Sequence, residues 1–169
     1  MSPELMRSML AGEWPMADGL LGTAVPGEWR TANWQWLRLR PAQVEADPTA
    51  IPWLPRLLLL RRGAEPVGSG PTVVGHGGFH GPPDEDGRVE LGYSVISEHR
   101  RRGFAEEAVR ALMAWAAGEY GVIRFRASVG PLNAPSLGLI RKLGFVQVGA
   151  QWDEEDGEEL VFQRDGLPG

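Results

Sequence analysis

After Arg56 the sequence alternates between strand-like and helix-like stretches, and this order restricts the fold more than any other feature. The helix-like stretches carry apolar residues three and four positions apart, whereas the strand-like ones are short and bounded by glycine or proline. The predicted strands span 56–62, 71–80, 88–96, 122–129, 145–152 and 159–164, and the predicted helices span 104–120 and 133–144. This alternation favours an α/β layered fold, in which helices flank a mixed central sheet of about six to seven strands.

The first 55 residues differ from the rest in their tryptophans and prolines. Ser2 and Pro3 predict a helix over about residues 3–11, because serine caps free amides and proline suits the first helical turn. Prolines at 15, 26, 41, 48, 52 and 55 predict that the following stretch is cut into short helices and turns. Its tryptophans either pack these helices onto the sheet or form an aromatic surface that faces a substrate. They are Trp14, Trp29, Trp34, Trp36 and Trp53.

Length and composition set the class of protein. A chain of 169 residues fits one domain, so we expect a single domain over 1–169, helical and tryptophan-rich over 1–55 and sheet-forming over 56–169. No apolar run in the sequence, including 57–60, is long enough to cross a membrane. The N-terminus does not resemble a signal peptide and the chain has no cysteine, so we expect a cytoplasmic protein. A net charge of −5 disfavours nucleic acid as a partner.

The stretch HRRRGFA, at positions 99–105, joins the third predicted strand to the longest predicted helix. The first turn of a helix has about four unpaired N–H groups and the positive end of the macrodipole, so its backbone can bind an anion. Gly103 lets the chain bend and a ligand approach, and Ala105 keeps the surface small. Arg100, Arg101 and Arg102 add charge-assisted hydrogen bonds. The sequence therefore predicts a phosphate site at this junction.

The sequence offers little support for a metal site, a nucleotide-binding loop or a serine hydrolase. His76, His80 and His99 have no cluster of acidic or histidine residues around them in the sequence pattern, so we expect no metal site. The glycines of GSGPTV, at 68–73, lack the third glycine of a dinucleotide-binding fingerprint, and there is no Walker pattern. No Gly-x-Ser-x-Gly elbow is present, which disfavours a serine hydrolase.

The sequence RRRGFA, at 100–105, resembles the pyrophosphate signature Arg/Gln-x-x-Gly-x-Gly/Ala of the GNAT superfamily, the acetyl-CoA-dependent N-acetyltransferases. The resemblance extends over 87–116 and over NAPSLGLIRKLGFVQVG at 133–149, and it covers the chain well from about residue 56 onward. These stretches look most like the branch that includes the ribosomal-protein-alanine N-acetyltransferases. The resemblance implies an acyl-CoA N-acyltransferase fold and acetyl-CoA as co-substrate, with no metal.

The resemblance also implies where the co-substrate binds. In this family the third strand and its neighbour splay apart, and the pantetheine arm pairs with backbone in the gap, here with Val95 and Ile96. The pyrophosphate would be held by six consecutive residues. They are Arg100, Arg101, Arg102, Gly103, Phe104 and Ala105. Asn133 and Ser136 would lie near the pantetheine and the thioester, and the alternative for Asn133 is a plain helix cap.

A neutral amine must attack the thioester, so the reaction needs a group that accepts the amine proton and one that protonates the departing thiolate. Glu90 is our candidate base, and the alternative is a strand carboxylate with no role in catalysis. Many family members use a tyrosine acid near the last helix, but Phe145 occupies that position here. Ser136 is therefore our first candidate for the acid and Tyr93 the second. Glu106 replaces a small hydroxyl residue, and we expect it to point away from the phosphate.

The resemblance implies transfer of an acetyl group to a primary amine, on a peptide N-terminus or a small molecule, by direct attack in a ternary complex. The alternative is an acyl-CoA-binding regulatory module without turnover. The segment 12–55 and the loop HGPPDEDG, at 80–87, are the expected walls of the acceptor site, because aromatic and acidic residues suit a cationic amine. Relatives usually begin with a strand that this chain lacks before its first helix, and a partner subunit could cover that edge. A homodimer is left open.

Overall fold

The computed structural model describes residues 1–31, 35–60, 71–154 and 156–169. Trp34 and the last two residues of the first predicted strand, 61–62, lie outside the described residues. The helices are α1 (Pro3–Ala11), α2 (Trp14–Leu21), α3 (Gly27–Arg30), α4 (Gln35–Ala46), α5 (Phe104–Tyr120) and α6 (Ala134–Lys142), with 3-10 helices at Pro48–Trp53 and Ser97–His99. The strands are β1 (Arg56–Leu60), β2 (Thr72–Phe79), β3 (Arg88–Val95), β4 (Arg124–Val129), β5 (Val146–Asp153) and β6 (Gly157–Asp165).

The described strands form one mixed sheet in the order β1-β2-β3-β4-β6-β5. Strands β3 and β4 are parallel, whereas β4 with β6 and β5 with β6 are antiparallel. A parallel pair needs a crossover connection, and helix α5 lies in the connection between β3 and β4. The predicted α/β fold with helices flanking a mixed sheet is confirmed.

The pairing of β3 with β4 covers only the start of both strands. It joins residues 88–90 to residues 124–126, with Glu90 opposite Arg126 as the last pair. Both strands continue beyond these residues, β3 to Val95 and β4 to Val129. Strand β4 keeps its antiparallel partner β6 along its whole length. The loss of parallel pairing after Glu90 is the divergence that a splayed sheet requires.

The chain divides into two compact units. Unit 1 comprises Met1–His76 and Ser94–Phe104, and unit 2 comprises Gly77–Tyr93 and Ala105–Gly169. The core of unit 1 forms around helix α1, whose Leu5, Met6 and Met9 are buried because they recur at helical spacing. Other members of this core come from the following helices, from strand β2 and from the connections between elements. They are Ala17, Val25, Trp29, Leu37, Leu54, Val73 and Ile96.

Unit 2 is built around helix α5. The apolar residues that recur along one face of this helix are buried, and the helix ends where Gly121 takes a left-handed conformation with φ of 68°. Phe79, Phe125 and Phe162, one from each of three strands, are also fully buried. The buried face of α5 consists of Ala108, Val109, Leu112, Met113 and Ala116.

The tryptophan-rich segment is helical as predicted, but two of its prolines do not end a helix. Pro52 lies inside the 3-10 helix at Pro48–Trp53, and Pro41 lies inside α4. An internal proline removes one backbone hydrogen bond, yet tertiary packing can outweigh local propensity, and Leu37 on the same helix is completely buried in the unit 1 core. Trp29 and Trp53 are buried, which agrees with a packing role for these two tryptophans.

Candidate active site

The backbone turns sharply at the junction between β3 and α5. Arg101 and Gly103 both have left-handed conformations, with φ of 60° and 87°, and Arg101 is the one non-glycine residue with positive φ in the described part of the chain. A turn that brings successive backbone N–H groups to one side can form a concavity that suits anions. An added Cβ at Gly103 would meet no atom within 4 Å. Glycine is therefore required at this position for its φ and not for space.

Two of the three arginines are held by neighbours within unit 1. The Arg100 Nε donates a hydrogen bond to the Val95 carbonyl at 2.9 Å. The Arg102 guanidinium lies 3.2 Å from the His99 Nδ1 and 5.1 Å from the centre of the Phe104 ring. All three arginines are exposed. The loop therefore presents a cluster of cations whose orientation is partly fixed.

The two residues predicted to pair with the pantetheine arm have different backbone environments. The Ile96 N–H donates to the Val74 carbonyl on β2 at 3.0 Å. Because successive residues of an extended chain point their backbone groups to opposite sides, those of Val95 point away from β2. Both side chains are buried.

Unit 2 brings two of the predicted catalytic residues together. The Tyr93 hydroxyl donates to the Ser136 Oγ at 3.2 Å. Burial raises the pKa of the Tyr93 hydroxyl, and the bond to Ser136 opposes this shift. Tyr93 is therefore a neutral hydrogen-bond donor at neutral pH. Since Ser136 accepts this bond, its own hydroxyl hydrogen is left to donate to another group.

Asn133 has the structural role that we predicted as the alternative, a helix cap. Its side-chain oxygen accepts from the Ser136 N–H at 3.2 Å and caps α6. This cap fixes the first turn of the helix and with it the backbone of Ser136. A contact of Asn133 with the co-substrate stays a prediction.

Glu90 lies in a network of polar side chains that crosses unit 2. Its Oε1 accepts from the Ser128 hydroxyl at 2.6 Å and lies 3.9 Å from the His80 Nδ1. The Gln151 Nε2 donates to the Ser128 Oγ at 3.3 Å and to a Glu159 carboxylate oxygen at 3.0 Å. Strand β3 is internal to the sheet and the Glu90 side chain is 22% exposed. Glu90 is thus a partly buried carboxylate with a fixed orientation.

A second acidic residue of the motif is held at the start of α5. The Glu106 carboxylate accepts from the Lys142 Nζ at 2.6 Å and from the Arg110 Nε at 3.3 Å. The hydrogen bond from Lys142 is the largest cause that lowers the pKa of Glu106. Glu106 therefore ties α5 to α6 within unit 2.

Some functional candidates could not be found from the sequence. Ser128 contacts Glu90 across 38 positions, and no local pattern indicates such a pair. The left-handed conformation of Arg101 also has no signal, since this conformation is uncommon for any residue but glycine. Within the described residues no group of three or more His, Cys, Asp or Glu side chains is arranged to hold a metal ion. None of the described helices has both the length and the apolar character that crossing a membrane requires.

The family model of the acetyltransferase (GNAT) domain matches residues 19–146, which is more than half of the chain. The chain belongs to the GNAT acetyltransferase family. The uncharacterised N-acetyltransferase YjdG of Bacillus subtilis is 34% identical to this GNAT chain over 104 residues, 57% of the chain and 62% of the relative. The chain therefore spans less than two thirds of the length of this relative.

Two solved structures show the same fold. A ribosomal-protein-alanine N-acetyltransferase from Brucella melitensis is 22% identical, with a TM-score of 0.58 over 98% of this chain and 96% of that one. A GNAT-family acetyltransferase from Bacillus anthracis is 16% identical, with a TM-score of 0.57 over 98% and 91%. Both support the GNAT fold of this chain.

Proposed function

We propose that this GNAT protein transfers the acetyl group of acetyl-CoA to a primary amine by direct attack in a ternary complex. The observation that carries the proposal is the loop before α5, in which the left-handed Arg101 is the middle one of three arginines and the left-handed Gly103 follows them. A backbone concavity, a helix N-terminus and arginine side chains are the three devices that bind pyrophosphate. The residues of this loop therefore fit the diphosphate of acetyl-CoA.

The backbone next to the loop fits the pantetheine arm. The Ile96 N–H is already paired with β2, so we assign the predicted pairing with the arm to the backbone of Val95. The Arg100 side chain bonds to the Val95 carbonyl. Because a carbonyl oxygen has two lone pairs, this bond leaves the Val95 carbonyl able to accept a second hydrogen bond.

The chemistry divides between Glu90 and Ser136. Acetyl-CoA supplies the thioester carbon that the amine attacks. Glu90, with its orientation fixed by Ser128, accepts the proton that the amine loses. The amine nitrogen bonds to the thioester carbon and the carbon–sulfur bond breaks, while Ser136 donates a hydrogen bond to the sulfur on which negative charge develops. CoA leaves as a thiolate that takes a proton from solvent, and Glu90 releases the proton it has accepted to solvent. A thiol of ordinary pKa near 8.5 is more acidic than a tyrosine, so Tyr93 acts by orienting Ser136 and not by giving up its proton completely.

The acceptor is a primary amine on a peptide N-terminus or on a small molecule. The acidic residues of the loop 80–87 and the aromatic residues of the segment 12–55 support a cationic acceptor. The Brucella melitensis neighbour is a ribosomal-protein-alanine N-acetyltransferase. We include a peptide with an N-terminal alanine among the acceptors to be tested. The lack of cysteine supports a cytoplasmic location, and we retain the single-domain assignment as part of the proposal.

Calorimetric titration with acetyl-CoA, followed by thiol release with a panel of amines and peptides, tests the proposed function. We expect saturable binding, and thiol release with at least one amine. Binding without release for every amine would favour a regulatory module that binds acyl-CoA without turnover. A protein that does not bind acetyl-CoA would refute the assignment of the loop.

A further inference from the structure

Glu28, in the tryptophan-rich segment 12–55, contacts Ser97, which lies just before the loop at 99–105. The Glu28 Oε2, on α3, accepts two hydrogen bonds from Ser97, one from the backbone N–H at 2.9 Å and one from the hydroxyl at 2.6 Å. The two residues are 69 positions apart and both belong to unit 1. Ser97 opens the 3-10 helix that leads into Arg100. The Glu28 carboxylate therefore accepts hydrogen bonds from both donors of Ser97, the residue at which the chain turns toward the loop.

Both ends of this contact are anchored in the core. Trp29, next to Glu28, is 4% exposed, and its ring packs edge-on against His76 at 5.4 Å between centres. Ile96, next to Ser97, is 3% exposed, and its N–H is bonded to Val74. Because neither neighbour can move freely, the Glu28 carboxylate fixes the direction in which the chain leaves Ile96.

We propose that Glu28 is a positioning residue for the loop at 99–105, which is proposed to bind pyrophosphate. The tryptophan-rich segment 12–55 then sets the geometry of co-substrate binding. This inference rests on the proposed function, since it takes the loop to bind the diphosphate of acetyl-CoA. Binding to a concavity of N–H groups depends on the directions of those groups. Loss of the Glu28 contact allows the 3-10 helix at Ser97–His99 to move, and the backbone N–H groups of the loop then no longer point in fixed directions.

If only the charge of Glu28 mattered, its removal would change the affinity for acetyl-CoA in the opposite direction. A carboxylate close to an anion site repels the anion, so its removal should strengthen acetyl-CoA binding if electrostatic repulsion dominates. The hydrogen bonds from the Ser97 hydroxyl and N–H lower the pKa of Glu28, and the charge of Arg100 adds to this effect. Glu28 is therefore ionised at neutral pH. A weakening of acetyl-CoA binding on its removal can then be attributed to position and not to charge.

The test compares Glu28→Ala, which removes the acceptor oxygens, with Glu28→Gln, which removes the charge but keeps one oxygen for Ser97. Glu13→Gln is the matched charge control, because Glu13 is exposed in unit 1 and its side chain makes no capping hydrogen bond. The readouts are the calorimetric Kd for acetyl-CoA and the kcat/KM with S-acetylpantetheine, a donor that lacks the pyrophosphate. Circular dichroism and thermal unfolding check that each variant is folded.

We expect Glu28→Ala to raise the Kd for acetyl-CoA by about 3- to 10-fold, and Glu28→Gln and Glu13→Gln to change it by less than about 2-fold. The kcat/KM with S-acetylpantetheine should stay within about 2-fold of the wild type in all three, since this donor makes no contact through a pyrophosphate. If Glu28→Ala does not fold, Ser97→Ala replaces it. This variant keeps the N–H bond, and we expect it to raise the Kd by about 2- to 5-fold.

Three results would overturn the inference. The first is an unchanged or lower Kd for acetyl-CoA in Glu28→Ala, or in Ser97→Ala where that variant replaces it. The second is an equal loss with acetyl-CoA and S-acetylpantetheine, which would indicate general damage to the fold. The third is a wild-type protein that does not bind acetyl-CoA, which would overturn the proposed function and this inference together. The first two leave the proposed function intact.

Discussion

Ser136→Ala is expected to lower kcat by about 10- to 150-fold. The proposed role of Ser136 is a hydrogen bond to sulfur that carries charge only in the transition state. A hydrogen bond to a charged group contributes about 1.5–3 kcal/mol, and each 1.36 kcal/mol corresponds to about tenfold in rate. Because the bond forms as charge develops, kcat and kcat/KM should fall together, with little change in the KM for acetyl-CoA.

Tyr93→Phe should have a smaller effect on kcat. This substitution removes the hydroxyl that donates to the Ser136 Oγ at 3.2 Å, but Ser136 keeps its own hydrogen. A bond between neutral groups contributes about 0.5–1.5 kcal/mol, which corresponds to about 2- to 10-fold in kcat. Since Tyr93 acts through Ser136, the double variant should be no slower than Ser136→Ala alone.

The assay is steady-state thiol release at saturating amine, with acetyl-CoA varied, for both single variants and the double variant. Tyr120→Phe is the matched control, because it removes the hydroxyl of the only other tyrosine in the chain, and its kcat should equal that of the wild type. A larger loss from Tyr93→Phe than from Ser136→Ala would refute the assignment of Ser136 as the direct donor. Additive losses in the double variant would refute the idea that Tyr93 acts through Ser136.

Three further predictions concern the loop and the stability of the fold. Arg102→Glu should raise the KM for acetyl-CoA by at least about tenfold and that for the amine by much less, and equal effects in a two-substrate kinetic analysis would contradict a phosphate role. Gly75→Ala should lower the melting temperature by about 5–10 °C, because its Cβ would approach the Ser94 carbonyl oxygen to an unacceptably short distance. Gly118→Ala, where an added Cβ meets no atom within 4 Å, should leave stability unchanged or raise it by about 1 kcal/mol, and a calorimetric scan that fails to separate the two variants would count against this packing. Burial lowers the pKa of His76 to about 4, so its contribution to stability is complete above its ordinary pKa near 6.5 and is lost as the pH falls toward 4. In urea unfolding at intervals from pH 7 to 4, the free energy of unfolding should decline less steeply for His76→Leu than for the wild type. Equal slopes would show that His76 does not cause this pH dependence.

Features with local causes were predicted well from the sequence. Helix α5 begins and ends at the predicted residues, Phe104 and Tyr120, because its periodicity and the glycine after it lie within one segment. Helix α6 begins directly after its predicted cap at Asn133, which is set by a contact three residues along the chain, but it ends at Lys142 and not at the predicted Gly144. Pro41 shows the limit of this reasoning, since the packing of its helix outweighs the local effect of proline.

Contacts between distant residues could not be predicted in the same way. Glu28 reaches Ser97 across 69 positions, Tyr93 reaches Ser136 across 43, and Ser128 reaches Glu90 across 38. Such pairs depend on the order of strands in the sheet and on the packing of α3, and neither is encoded in a short stretch. The residue types at a site could thus be proposed from the motif, but the side chains that orient them could not.

This difference has a consequence for how the site responds to substitution. The loop is expected to bind phosphate largely through backbone N–H groups, whose directions follow from the left-handed turn at Arg101. Arg100 and Arg102 are already held by neighbours, so they lose little side-chain entropy when an anion binds, whereas the Arg101 side chain makes no hydrogen bond, ion pair or ring contact within the described residues. We therefore expect the conformation of Arg101 to matter more than its charge. By contrast, the proposed role of Ser136 rests on one hydroxyl, for which the backbone offers no replacement.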